Sequence, residues 1–141
     1  MDLYRHPANR FVAEFLGSPK INMLPYRWQA SSSQLVFAQD CTLAAEQFHG
    51  ALQALPSGAV LGWRPEELRL SAPGTGLPGV VEFTENLGDV CVLYVRSPAA
   101  PDLLTIKLAS EQVSAAIGDP VGVLPVAEGL VFGADGLRVT A

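Results

Sequence analysis

Val60-Leu61-Gly62-Trp63-Arg64-Pro65-Glu66-Glu67-Leu68 lies near the middle of this 141-residue chain, between two β-rich halves. Val60, Leu61 and Trp63 suit a strand. Pro65 cannot donate to a sheet ladder, and it pushes Arg64 into an extended conformation. The strand therefore ends by presenting an arginine, followed at once by two carboxylates. This is a rigid polar corner on an apolar scaffold. Taken alone, such a corner reads as structural.

Downstream, short strands and turn signals alternate. Leu68–Ser71 reads as a strand, and the Gly- and Pro-rich stretch 72–79 as a loop. Val80–Asn86 alternates, with Val81, Phe83 and Glu85 on one side and Glu82 and Thr84 on the other. Leu87-Gly88-Asp89 turns the chain. Val90–Arg96 is nearly continuous in apolar residues, as a strand covered on both faces would be. Leu103–Leu108, Val121–Leu124, Leu130–Phe132 and Leu137–Thr140 follow, the last two joined by an Asp135-Gly136 turn.

Upstream, Pro56-Ser57-Gly58 is a turn, and residues 45–55 read as a short helix or a loop. Gln34–Ala38 and Cys41–Ala44 form a hairpin around Gln39-Asp40. Ser31-Ser32-Ser33 is a turn, and Ile21–Pro25 is extended. Residues 3–17 read as a short amphipathic helix with its lead-in. Asn9 is the N-cap, Phe11, Val12, Phe15 and Leu16 share a face, and Gly17 and Pro19 stop the helix. Two turns are not stable alone in water, so this face must dock, and the rest of the chain is the expected surface. About nine or ten short strands at this spacing predict a mostly β barrel or sandwich with a short N-terminal helix.

Composition narrows the function. The net charge is −5 and the nine basic residues are scattered, which disfavours nucleic acid and anionic membrane surfaces. Cys41 and Cys91 lie in apolar strand-like contexts and read as buried, inert thiols. No apolar run reaches the ~18–20 residues of a membrane helix. A chain of this length buries enough surface to fold without disulfides or metal.

No catalytic pattern emerges. A phosphate-binding P-loop needs a lysine after its glycines. The lysines are Lys20 and Lys107, and neither follows glycine. His6 and His49 sit in no nucleophile signature and read as surface residues. Two distant histidines and two distant cysteines do not make a zinc site. Glu66 and Glu67 are adjacent and diverge, and Glu82 and Glu85 differ in strand parity. Glu85 shares a face with Val81 and Phe83, so it should point inward and need a partner. Arg64 is the expected one.

Several of these residues together resemble a known family. Leu3-Tyr4-x-x-Pro7-Ala8-Asn9-x-Phe11-Val12-Ala13-x-Phe15-Leu16-Gly17-Ser18-Pro19 resembles the segment following the nucleotide-binding domain in ATPase subunits of bacterial ABC sugar importers of the maltose and glycerol-phosphate type. Asn22-Met23-Leu24 resembles the next motif. Gly62-Trp63-Arg64-Pro65-Glu66 resembles that family's G-I-R-P-E signature, with Trp63 where Ile is usual. Glu85-Asn86-Leu87-Gly88 resembles its E-x-L-G turn. Gly118-Asp119 and Val131-Phe132 match weaker positions. Gly133 departs from the usual Asp, and Tyr26-Arg27-Trp28 replaces a glycine-led turn.

The resemblance implies a C-terminal regulatory module of the oligonucleotide/oligosaccharide-binding type, the transport-associated OB domain. Residues 1–24 would be a linker and helix following an absent ATPase domain, with residues 25–141 forming the OB-type domain. On this reading the chain is a fragment without catalysis or cofactor of its own, ATP and Mg belonging to the absent domain. Asn9, Phe11, Phe15, Gly17, Arg64, Pro65, Glu66, Glu85 and Gly88 are the motif residues, with structural roles. Expected partners are the chain's own ATPase domain, a second copy, membrane permease subunits and a regulatory protein. The implied location is cytoplasmic, peripheral to the inner membrane. The alternative within the family is a small-ligand sensor for an oxyanion or sugar, with Ser71, Thr75 and Gly76 offering donors.

Overall fold

In a computed structural model of the chain, residue 4 and residues 6–15, 20–47 and 58–139 are described. One short helix, α1 (Arg10–Phe15), precedes twelve strands among them. The strands are β1 (Asn22–Pro25), β2 (Arg27–Gln29), β3 (Gln34–Val36), β4 (Thr42–Ala44), β5 (Val60–Trp63), β6 (Leu68–Ser71), β7 (Leu77–Asn86), β8 (Val90–Arg96), β9 (Leu104–Ala109), β10 (Pro120–Pro125), β11 (Leu130–Phe132) and β12 (Arg138–Val139). They form antiparallel sheets ordered β6-β10-β7-β8-β9, β1-β5-β11-β12 and β2-β3-β4. The edges of the five-stranded sheet, β6 and β9, approach each other, and the 3-10 turn Pro65–Glu67 packs on β9. The sheet thus curls toward a barrel, in keeping with the expected OB-type β fold.

One core joins the sheets. Leu24, Leu35, Leu43, Leu61, Trp63, Leu77, Val81, Leu93, Val95, Leu104, Ile106 and Val123 are its buried residues. A smaller cluster of Ala13, Ile21 and Phe132 lies under α1. The apolar run in β8 is buried from Cys91 to Leu93 and at Val95, as its composition predicts.

Several expectations need correction. Strand β7 begins at Leu77, inside the stretch read as a loop. Pro78 fits because it lies exposed opposite Gly122, and Gly79 because a Cβ there would stand 2.3 Å from Val95 Cγ1. Strand β2 was not legible as a strand: it is three residues long and pairs only with β3. The hairpin β3–β4 is as expected, with Gln39 and Asp40 both at positive φ (57° and 56°) in its turn.

The largest departure is a bulge in β7. Val81 pairs with Val95, but Phe83 pairs with Tyr94, so Glu82 is the extra residue. One extra residue inverts the alternation beyond it. Phe83 and Glu85 therefore leave the core face occupied by Val81. Glu85 is exposed and accepts the Tyr94 hydroxyl, while Arg64 is bound elsewhere, so the expected Arg64–Glu85 pair does not form. Glu82 pairs with Arg96 at 2.7 Å. Tyr94 and Arg96 share a parity on β8, so the two glutamates occupy one exposed face after all.

Helix α1 has the predicted N-cap: the Asn9 Oδ1 accepts the Val12 N–H at 2.9 Å. Its docking face differs from the prediction. Ala13 is fully buried and Phe11 is 75% exposed. Six residues make too short a helix for the larger side chains to share the contact, and the small Ala13 lets the backbone approach. Of the cysteines, Cys91 is buried, whereas Cys41 is only half-buried, just before β4. His6 is exposed. The expected helix or loop at 45–55 begins as a 3-10 turn, Ala45–Gln47; its remainder, with His49, lies outside the described residues, as do Leu16, Gly17 and Pro19.

Candidate functional site

The corner after β5 is built from its own sequence. All four residues of β5 are buried, and Trp63 is fully so. The Trp63 indole N–H donates to the Ala127 carbonyl at 3.2 Å. Gly129, at φ 72°, allows that seat, because a Cβ there would lie 2.6 Å from Trp63 Nε1. Arg64 then takes an extended conformation (φ −65°, ψ 154°), as Pro65 demands. Pro65–Glu67 forms a 3-10 turn closed at both ends. The Arg64 N–H donates to Glu67 Oε1 at 2.7 Å, and the Glu67 N–H donates to the Arg64 carbonyl at 2.9 Å.

This turn aims the guanidinium at the N-terminal segment. Arg64 is 4% exposed. Its Nη1 donates to the Ala13 carbonyl and its Nη2 to the Tyr4 carbonyl, each at 3.0 Å. Its Cζ lies 4.0 Å from the centre of the Tyr4 ring. The Tyr4 hydroxyl donates to Glu66 Oε2 at 2.8 Å. Ala13 lies in the last turn of α1, where carbonyls lack intrahelical partners, so Arg64 caps the helix from a distant strand. Burial, reinforced by the bond to Glu66, pushes the Tyr4 phenol up to about 12. Burial also pushes the Glu67 carboxyl upward, opposed by the bond it accepts from the Arg64 N–H.

The same segment is held at a second place. The Arg10 N–H donates to the Gly136 carbonyl at 2.8 Å, and the Arg138 N–H to the Ala8 carbonyl at 3.1 Å. Asn9 thereby bridges to Leu137. A third fastening is Asn22, which is buried. Its Nδ2 donates to the carbonyls of Trp63 (3.0 Å) and Thr105 (2.9 Å), and its Oδ1 accepts the Thr105 N–H at 2.7 Å. One side chain thus satisfies the open edge of β9 and ties it to β5.

The motif residues therefore separate. Arg64, Pro65 and Glu66 gather with Tyr4 at the corner, and Asn9 caps the helix held there. Phe15 contributes its backbone to α1. Glu85 and Gly88 lie apart, around the β7–β8 turn, where the Gly88 N–H donates to Asn86 Oδ1. The donors named for an oxyanion are largely spent within their loop: the Ser71 hydroxyl donates to the Thr75 carbonyl and the Thr75 N–H to that of Ala72. Tyr4 and Asn22 were quoted only as parts of motifs. Asn22 carried one readable signal, an amide between apolar residues in a strand. Chemically, the corner can clamp a segment through an arginine fork and a phenol. It presents no nucleophile beside a base.

Comparison with known proteins agrees with this architecture. A family model described as the TOBE domain matches residues 61–132. The sn-glycerol-3-phosphate import ATP-binding protein UgpC of Chromohalobacter salexigens is 38% identical over 147 residues, covering 99% of this chain and 37% of that protein. A second UgpC, of Agrobacterium fabrum, is 29% identical, covering 89% of the chain and 30% of its own length. The maltose/maltodextrin import ATP-binding protein MalK of Yersinia pestis is 34% identical, covering 85% and 35%. The chain thus spans about a third of the length of these relatives.

Proposed function

This chain belongs to the TOBE domain family, and on that premise we propose that it is the C-terminal regulatory and dimerisation domain of the ATP-binding subunit of a bacterial ABC importer for sugars or related solutes. The observation that carries the proposal is the fastening of residues 4–15. An arginine fork, a phenol–carboxylate bond and a backbone bridge hold this segment to the β domain at two places. A segment held so tightly transmits displacement rather than absorbing it. It would make the β domain a rigid extension of an ATPase domain preceding it.

On this reading the chain does no chemistry, and ATP and Mg are handled by that preceding domain. Its partners are its own ATPase domain, a second copy of the subunit, the permease subunits and a regulatory protein. It works on the cytoplasmic side of the inner membrane. Among the described residues, no helix is long and apolar enough to cross a membrane.

The test uses the full-length subunit. Sedimentation velocity and ATP hydrolysis should be compared for the intact protein, a version lacking residues 20–141, and Arg64→Ala. The truncated version should dimerise more weakly. Arg64→Ala should retain dimerisation but uncouple hydrolysis from regulation. Unchanged dimerisation and hydrolysis on truncation would overturn the proposal.

A further inference from the structure

A groove of about 570 Å³ runs between α1 and the segment leading into β9, on the opposite side of Asn22 from the core. We propose that it binds a small, neutral, polyhydroxylated molecule, a sugar or polyol. This reading is independent of the transport assignment and of the Arg64 corner, whose residues it does not use.

The size lies within the range of small-ligand sites. The lining decides the class. Two cationic side chains, Arg10 and Lys20, and two anionic ones, Glu14 and Asp102, border the groove. Their charges cancel. An anion would face two carboxylates, and a cation two basic groups, so electrostatic complementarity favours a ligand without net charge. Arg10 and Glu14 are bonded to each other at 2.6 Å. The Lys20 ammonium and the Asp102 carboxylate are exposed and have neither an ion-pair nor a side-chain hydrogen-bond partner among the described residues. The groove thus offers one uncommitted donor group and one uncommitted acceptor. A hydroxyl both donates and accepts, so a polyol can engage the two at once.

The rest of the surface is suited to carbon-bound hydrogens. Met23, Leu103 and Tyr94 contribute thioether, isobutyl and ring surface. Rings and aliphatic chains of this kind take the apolar faces of sugars while polar groups at the rim take the hydroxyls. The floor is pre-formed, because Asn22 and Thr105 are locked to each other by two hydrogen bonds. Their polar atoms shape the groove and leave recognition to Lys20 and Asp102.

The experiment is an NMR titration of the isotopically labelled 141-residue chain with glucose, maltose and glycerol, and with inorganic phosphate and glycine as charged comparators. A neutral ligand should give saturable shifts at the amides of residues 20–23 and 102–105, with a dissociation constant of about 0.1–10 mM. Lys20→Ala and Asp102→Ala should each weaken it by about fivefold or more. Both side chains are exposed, so the variants' spectra should otherwise match the parent. Glu82→Ala, outside the groove, should bind unchanged. The inference fails if the three polyols give no saturable shift up to about 100 mM, if phosphate or glycine saturates in their place, or if Asp102→Ala leaves polyol affinity intact. None of these outcomes bears on dimerisation, so this failure and that of the transport proposal are distinguishable.

Discussion

Replacing Asn22 with alanine should be among the most damaging single changes in the chain. Three hydrogen bonds would vanish: two donated to the Trp63 and Thr105 carbonyls and one accepted from the Thr105 N–H. The donor left behind is the severe loss, since buried N–H groups are rarely orphaned, whereas carbonyls tolerate it better. An unsatisfied buried group costs about 1–3 kcal/mol, so the N–H and the two carbonyls together give about 2–4 kcal/mol. Domains of this size hold about 5–15 kcal/mol in all. Urea titration followed by tryptophan fluorescence should show the midpoint fall by that amount at unchanged m, with Tm lower by about 10 °C. Asn22→Asp keeps the acceptor for Thr105 but turns the donor edge into a carboxylate facing two carbonyls. Its folded-state pKa would rise above the unfolded value, so this variant should gain stability as pH falls, while Asn22→Ala should not. A loss below about 1 kcal/mol for Asn22→Ala, or an Asn22→Asp as stable at pH 7 as the parent, would refute the claim that this amide is the seam between β5 and β9.

Arg64→Ala should release residues 4–15 before it unfolds the barrel, read as faster amide exchange in α1 and earlier proteolysis there. Arg64→Lys should restore less than half of the protection, because one ammonium cannot reproduce a fork spanning the Ala13 and Tyr4 carbonyls. Gly129→Ala should cost about 2 kcal/mol or more, since φ 72° and the 2.6 Å approach to Trp63 both oppose a side chain; an unaltered melting curve would contradict the seat assigned to the indole. Glu67→Gln should be more stable than the parent near neutral pH. Burial raises the Glu67 carboxyl, so the stability tied to its protonated form is complete at low pH and lost as pH rises through the folded value. Gln keeps the acceptor for the Arg64 N–H without the charge. Its advantage in thermal melts should disappear below about pH 4, and an advantage of the same size there would exclude burial of the charge as the cause.

Legibility followed range. Strands β5, β6, β8, β9 and β10 were readable because each is a local apolar run between turn residues, and the Arg64 corner because Pro65 fixes its neighbour's backbone. The N-cap at Asn9 was readable for the same reason. What Arg64 holds was not: the carbonyls of Tyr4 and Ala13 lie 60 and 51 residues away and leave no mark in a pattern. Nor was the bulge, since Val81-Glu82-Phe83-Thr84-Glu85 alternates as a regular strand would. Strand β2 has three residues, too few to show a period. The face of α1 was misjudged because periodicity finds the most apolar stripe, while close docking selected the smallest side chain, Ala13.

The bulge at Glu82 splits β7 into two stretches under different selection. Up to Val81 the strand answers to the interior, where volume and shape limit what can be accepted. From Phe83 onward its outward positions answer to water and to whatever the surface meets, and may change without disturbing the packing beneath Val81 and Val95. Deleting one residue there would exchange the two assignments, sending Phe83 inward and exposing residues suited to the core. For an engineer, this strand tolerates substitution in its second half far better than any change in its length.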